Sequence, residues 1–132
     1  MTATENLWPK ILLNEVEKSP KSILNEQAKF LSDSTKNILN AVVVTIGYND
    51  GNIEHTFDII APSLNGYRYS LMTISQQGFQ LYPCNLHSKK TYAISNENDL
   101  LKKLKEIFSS DETKKIIYAL ISQSRDTNDV PF

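Results

Sequence analysis

The middle of the chain alternates apolar and polar residues in short runs, and single glycines separate these runs. Glycine follows Asp50, Asn65 and Gln77. A tight turn that matches the twist of its strands needs a positive φ, which glycine adopts without strain. Residues 40–94 are therefore predicted to form an antiparallel meander of four to five strands. The predicted strands are residues 40–48, 53–61, 67–76, 79–82 and, as a short last strand, 91–94.

The first predicted strand is rich in β-branched residues, and its apolar side chains fall on both sides of the alternation. Such a pattern is typical of a strand that is covered on both faces. We therefore expect this strand to lie in the centre of the sheet.

Before the meander, the apolar residues recur at helical spacing. A first helix is predicted up to Lys18, with Thr4 or Asn6 as its cap, and Trp8 within it is expected to anchor the core. A Ser-Pro pair then suits the start of a new helix, because the missing N–H of proline is not needed in the first turn. A second helix is therefore predicted over residues 20–32.

After the meander, the same helical spacing returns. Asn96 is predicted to start a third helix, and Ser109 with Glu112 has the spacing of a capping box that starts a fourth. The segment 125–132 is polar and is predicted to be a loose tail. The third helix is expected to pack on the sheet through Leu104 and Ile107, against Phe57, Ile59 and Leu71.

Together these elements predict an α+β fold, with two N-terminal and two C-terminal helices on one face of the sheet. The length of 132 residues suits a single domain over residues 1–132. The net charge of −1 provides no field that would attract nucleic acid or an anionic membrane. Cys84 is the only cysteine and has no partner for an intramolecular disulfide. The N-terminus lacks the pattern of a signal peptide, so we expect a cytoplasmic protein without a membrane segment.

Several short motifs resemble those of a family of small uncharacterised bacterial proteins. The resemblance covers residues 19–124 and implies a bacterial cytoplasmic origin and one compact domain. It implies no activity and no site residue. The motifs are Ser19-Pro20 with Ile23-Leu24-x-Glu26-Gln27-Ala28, Ala61-Pro62-x-Leu64-x-x-Tyr67-x-Tyr69, Tyr82-Pro83, Leu101-x-x-Leu104-x-x-Ile107 and Thr113-x-x-Ile116.

The candidate chemical groups are few, and we expect neither an enzyme nor a cofactor or metal site. Cys84-x-x-His87 offers two ligands, whereas a zinc site needs three or four. Cys84 is expected to serve in packing, and His55 is expected to be a core or edge imidazole with its hydrogen bonds satisfied.

Two alternatives with a chemical or nucleic-acid function stay open. Asp58 with Glu54 or with His87 would suit a metal-dependent hydrolase or nuclease, although a cross-strand ion pair of Asp58 with Arg68 explains the same charges. A weak nucleic-acid binder would use Tyr67, Tyr69 and Arg68. Nucleic acid is not an expected partner, because acidic residues interrupt the basic run of residues 102–105 and its surroundings.

The leading functional hypothesis concerns the sheet face that the helices leave open. With apolar anchors inside a charged rim, this face would suit a protein interface, with Met72 and Tyr82 as anchors and Asp58 and Arg68 setting orientation. The sequence therefore predicts a non-catalytic protein-binding or regulatory module whose partner is another protein or a second copy of itself. The residues predicted on this face are Glu54, Thr56, Asp58, Ile60, Arg68, Ser70, Met72 and Tyr82.

Overall fold

A computed structural model describes residues 3–126, and it confirms the α+β class. Within these residues there are three α-helices and one sheet of five antiparallel strands in the order β1-β2-β3-β4-β5. The helices are α1 (Pro20–Ser34), α2 (Glu97–Phe108) and α3 (Asp111–Arg125). The strands are β1 (Asn40–Gly47), β2 (Asn52–Ala61), β3 (Tyr67–Gln77), β4 (Cys84–His87) and β5 (Thr91–Ile94). Short 3-10 turns cover Leu13–Glu15 and Pro62–Leu64.

The predicted turns and two of the predicted helix caps are confirmed. Gly51, Gly66 and Gly78 have φ values of 88°, 71° and 53°. The side chain of Ser19 accepts a hydrogen bond from the Ser22 amide at 3.1 Å, and that of Asn96 from the Asp99 amide at 2.8 Å.

The last helix begins one residue later than predicted. The Ser110 hydroxyl, and not that of Ser109, accepts a hydrogen bond from the Thr113 amide, at 3.2 Å. Ser109 has helical backbone angles, and its N–H donates to the carbonyl of Lys105. Ser109 thus closes α2 and leaves the cap of α3 to the next serine.

The core lies between the helices and one face of the sheet. α1 packs mainly on β1, while Leu104 of α2 is buried and the Phe57 and Phe108 rings lie 5.6 Å apart. Leu104 and the half-buried Ile107 belong to one apolar cluster with Phe57, Ile59 and Leu71, as predicted. The buried apolar residues are Ile23, Leu24, Ala28, Leu39, Phe57, Ile59, Ala61, Leu64, Met72, Ile74, Cys84, Leu86, Ile94, Leu100, Leu104 and Leu120.

A β-bulge between β2 and β3 moves Met72 to the core, so its predicted place on the open face is wrong. Phe57 pairs with Met72 and Asp58 pairs with Ser70, which leaves Leu71 as the extra residue of β3. One extra residue reverses the alternation of every side chain that follows it. Met72 is accordingly 3% exposed.

β1 lies at an edge of the sheet and not at its centre, contrary to the prediction. α1 covers one face of β1, while Val42 and Val44 on the other face stay partly exposed. The apolar residues on both faces of β1 therefore do not indicate that β1 has a neighbouring strand at each of its edges.

Residues 79–82 do not form the predicted fourth strand. Phe79 is 99% exposed, and the Gln80 amide donates to the Gln77 carbonyl in a turn. Pro83, which follows a cis peptide bond, has no N–H for a ladder, and β4 starts only after it. The Tyr82 side chain packs against the core and its hydroxyl donates to the Lys18 carbonyl at 2.8 Å, so its predicted place on the open face is also wrong.

The predicted first helix is absent from residues 3–18, which are exposed along their whole length. A single 3-10 turn, Leu13–Glu15, is the regular structure in this part. Trp8 is 77% exposed and does not anchor the core. At the other end, the first two residues of the predicted tail belong to α3, because Arg125 is its last residue and Asp126 is its C-cap. The rest of the predicted tail, residues 127–132, lies outside the described residues.

Candidate functional site

The open face of the sheet, opposite the helices, carries a row of polar side chains. Their strands are held in register by the backbone ladders, so side chains on neighbouring strands meet in pairs. Thr56 and Thr73 share a hydrogen bond of 3.0 Å. The polar residues of this face include Thr56, Asp58, Arg68, Ser70, Thr73, Ser75, His87 and Thr91.

Asp58 is the buried acid of this face. Its carboxylate accepts a hydrogen bond from the Ser70 hydroxyl at 2.6 Å and lies 3.6 Å from Arg68 Nε. The bulge places Ser70 directly opposite Asp58 and so creates this contact. The arrangement is a cross-strand ion pair supported by a hydroxyl, which is the simpler of the two predicted roles for these residues.

A second chain of hydrogen bonds crosses β3, β4 and β5. Ser75 Oγ and His87 Nε2 lie 2.9 Å apart, and His87 Nδ1 and Thr91 Oγ1 lie 3.0 Å apart. A serine beside a histidine resembles a nucleophile and its base, and such a base is usually oriented by a carboxylate. Here a threonine hydroxyl takes that position and Ser75 is buried, so the contacts fit a structural ladder better than catalysis.

The residues of the predicted metal site do not come together. Glu54 precedes Asp58 by four positions on the same strand, which separates their Cα atoms by about 13 Å. The strand β3 lies between Asp58 and His87. Glu54 instead accepts a hydrogen bond from Tyr48, which raises the pKa of the Tyr48 phenol. Within residues 3–126, no group of three or more His, Cys, Asp or Glu side chains is placed to hold a metal ion.

The two other candidate groups face the core, as predicted. His55 lies between Thr45 and Gln76, at 2.9 and 3.2 Å, and burial lowers the pKa of its imidazole. Burial raises the pKa of the Cys84 thiol to about 11. A thiol with this pKa carries almost no thiolate at neutral pH and is a poor nucleophile.

The predicted nucleic-acid residues do not share a surface. Tyr67 and Tyr69 pair with Ala61 and Ile59 on the helix side of the sheet, whereas Arg68 points to the open face. Stacked bases would need the aromatic rings and the cationic group along one groove.

Two of the basic residues near α2 are paired with acids. Lys89 forms an ion pair with Glu112, and Lys103 forms one with Glu106 at 2.9 Å. The ammonium of Lys103 also lies 4.3 Å from the centre of the Tyr92 ring. These residues line a cleft of about 380 Å³ between the sheet, α2 and α3, whose charges largely balance.

A smaller apolar cleft lies between α1, α3 and the sheet. Its volume is about 190 Å³, and the described residues that line it carry no charge. Phe30 stands at this cleft and is 56% exposed.

The N-terminal arm, defined here as residues 3–16, carries six of the thirteen large apolar side chains that are exposed in the described chain. The Asn6 side chain accepts a hydrogen bond from the Trp8 amide at 3.1 Å, which is a local turn and not a contact with the body. Sequence reasoning missed this surface because a helical stripe of apolar residues predicts a core contact and a partner contact equally well. The exposed apolar side chains of the arm are Leu7, Trp8, Ile11, Leu12, Leu13 and Val16.

The arm leaves the body at a defined point. The Lys18 amide donates to the Glu97 carboxylate at 2.6 Å, and the Glu97 amide donates to the Glu17 carboxylate at 3.1 Å. With the bond from Tyr82 to the Lys18 carbonyl, these contacts fix residues 17 and 18 beside the start of α2. The arm is thus tethered at one end, with its apolar side chains in solvent.

Comparison with protein-family models, curated proteins and solved structures finds no match for this chain. The resemblance given above therefore stays a prediction. None of the helices in residues 3–126 has both the length and the apolar character that a membrane span requires.

Proposed function

We propose that this chain is a non-catalytic protein-binding or regulatory module of the bacterial cytoplasm, and that its N-terminal arm is the element that binds. The observation that carries this proposal is the exposure of six large apolar side chains within ten consecutive residues, Leu7 to Val16. Single exposed apolar residues are ordinary on protein surfaces, but a contiguous group of them is typical of an interaction site.

The physical driving force is the burial of these side chains on a partner. Each fully buried large apolar side chain contributes about 1.5–3 kcal/mol, while ordering a flexible segment costs about 2–5 kcal/mol. Burial of Trp8 with two or three of its neighbours therefore offsets the cost of ordering the arm, and burial of the remaining apolar side chains contributes toward the loss of translational and rotational freedom on association. The tether at residues 17 and 18 lowers that cost further, because one end of the arm is already fixed.

The chemistry of the arm defines the kind of partner. A tryptophan and several aliphatic side chains fit an apolar groove on another protein, as in recognition of a short apolar segment by a folded domain. Glu5, Lys10 and Glu15 carry charges of both signs between the apolar residues. The groove is therefore expected to have a mixed polar rim.

The open face has a smaller part in this proposal than the sequence predicts. Both of its proposed anchors, Met72 and Tyr82, pack in or against the core. Asp58 and Arg68 stay on that face, but each already has a partner there. Cys84, the only cysteine of the sequence, is a buried free thiol, which is compatible with the proposed cytoplasmic location.

Site-specific photo-crosslinking in cells that express the protein tests this proposal. A photoreactive phenylalanine analogue replaces Trp8 in one variant and Phe79, which is 99% exposed, in a matched control. We expect a discrete crosslinked protein from position 8 that is lost when Ile11 and Leu12 are both changed to Ser. The same products from both positions, or no product from position 8, would overturn the proposal.

A further inference from the structure

β1 is an edge strand without the protections that edge strands usually have. Natural edges are shielded by charged side chains, proline, bulges or short length. Asn40–Gly47 has eight residues and contains no charge and no proline, and the bulge of the sheet lies between β2 and β3. The opposite edge, β5, has four residues and follows Lys89 and Lys90. β1 is therefore the edge that is open to a further strand.

The sequence of β1 is complementary to itself when two copies run antiparallel. If Val44 lies on the two-fold axis, Val44 faces Val44, and Val42 faces Ile46 on the same side of the sheet. On the other side, Val43 faces Thr45. A shift of the axis to Val43 would instead place Asn40 opposite Ile46. The register centred on Val44 thus matches apolar with apolar along the open face.

The absence of charge favours a second copy as the occupant of this edge. A symmetric interface brings each residue close to its own equivalent, so a charged strand would repel itself. β1 has no such charge, and because it is an edge strand its outward backbone N–H and C=O groups can pair with another strand.

We propose that a second copy of this chain covers β1, through antiparallel pairing of the two β1 strands about an axis at Val44. The two sheets then form one continuous sheet, and the Val42, Val44 and Ile46 side chains of both copies form a shared apolar cluster on the open face. This inference rests on β1 alone and is independent of the function proposed for the arm.

Introducing a positive or a negative charge at Val44, and then mixing the two variants, tests the pairing and its register. Sedimentation velocity over a wide range of concentration is expected to show a dimer for the parent. V44K and V44E are each expected to weaken self-association by more than about tenfold, because like charges then meet at the axis. An equimolar mixture of V44K and V44E is expected to form a one-to-one dimer again.

Controls on the other edge separate a specific pairing from a general effect of charge. A93K and A93E, at an exposed position of β5, are expected to dimerise like the parent, and circular dichroism checks the fold of each variant. A parent that stays monomeric at every concentration would overturn the proposal. Self-association of V44K with the same affinity as the parent would also overturn it. A mixture of V44K and V44E that does not associate would do the same.

Amide hydrogen exchange of the parent protein tests the same pairing without any variant, so it applies even if the Val44 variants do not fold. The amides of β1 are expected to exchange more slowly at high than at low protein concentration, whereas those of β5 are expected to be unchanged. Exchange in β1 that does not depend on concentration would overturn the pairing.

Discussion

At the residue scale, Asp58 shows how one polar side chain organises the open face. Its carboxylate is buried although this face carries no helix, because Ser70 and Arg68 lie against it. A buried carboxylate needs such partners, since an unpaired charge away from water is costly.

Replacement of Asp58 by Ala is expected to lower the free energy of unfolding by about 1–3 kcal/mol, because the hydrogen bond from the Ser70 hydroxyl to the buried carboxylate is lost. Arg68 is half exposed, so the ion pair itself contributes little of this loss. Urea unfolding measures the effect. The control is Glu26→Ala, which removes the exposed ion pair of Glu26 with Lys18 at 2.9 Å and is expected to cost less than about 1 kcal/mol. Equal stability of the Asp58 variant and the parent would contradict this role.

The bulge at Leu71 also shows what the residue pattern can and cannot predict. Up to this residue, the predicted alternation of β3 is right, with Arg68 and Ser70 on the open face. After it, Met72 falls on the face opposite to the predicted one. The apolar pattern does not mark the insertion, because the register of the partner strand decides which residue is extra.

At the scale of elements, the arm and α1 show that one sequence pattern can have two outcomes. Both segments have apolar residues at helical spacing, but only α1 buries its stripe, through Ile23, Leu24 and Ala28. A helix of fewer than about 12–15 residues is marginal in water without such packing. The sequence therefore predicts α1 correctly and fails for the arm, where the deciding factor is a packing surface and not propensity.

The strands show the same division between local and non-local information. The turns at Gly51, Gly66 and Gly78 follow from local chemistry and were predictable. The place of β1 at the edge depends on the order of the strands in the sheet, which no local pattern records.

The packing of α2 on the sheet is tested by two leucine variants of the same helix. Leu104→Ala is expected to lower the free energy of unfolding by about 2–5 kcal/mol, because this buried side chain would leave a cavity in the core. Leu101→Ala removes the same atoms from an exposed site of α2 and is expected to change stability by about 0.5 kcal/mol. Similar urea midpoints for the two variants would show that α2 does not pack as described.

At the scale of the whole molecule, the helices cover one face of the sheet and enclose the core, while the arm keeps its apolar side chains in solvent. The fold class was within reach of the sequence. The exposed arm was not, because its exposure depends on contacts that the body does not make.

The central claim, that the arm is not packed on its own body, is tested most directly by the fluorescence of Trp8. Trp8 is the only tryptophan, so its emission reports on the arm alone. The apolar cleft beside Phe30 is the place on the body where the arm would pack if the claim were wrong. The measurement uses dilute protein, with and without urea, and a soluble quencher.

We expect emission typical of a fully hydrated indole, equal accessibility to the quencher with and without urea, and no change in a Phe30→Ser variant. A blue-shifted and protected Trp8 in the dilute parent, released by urea or by Phe30→Ser, would contradict the claim, because the arm would then occupy its own cleft.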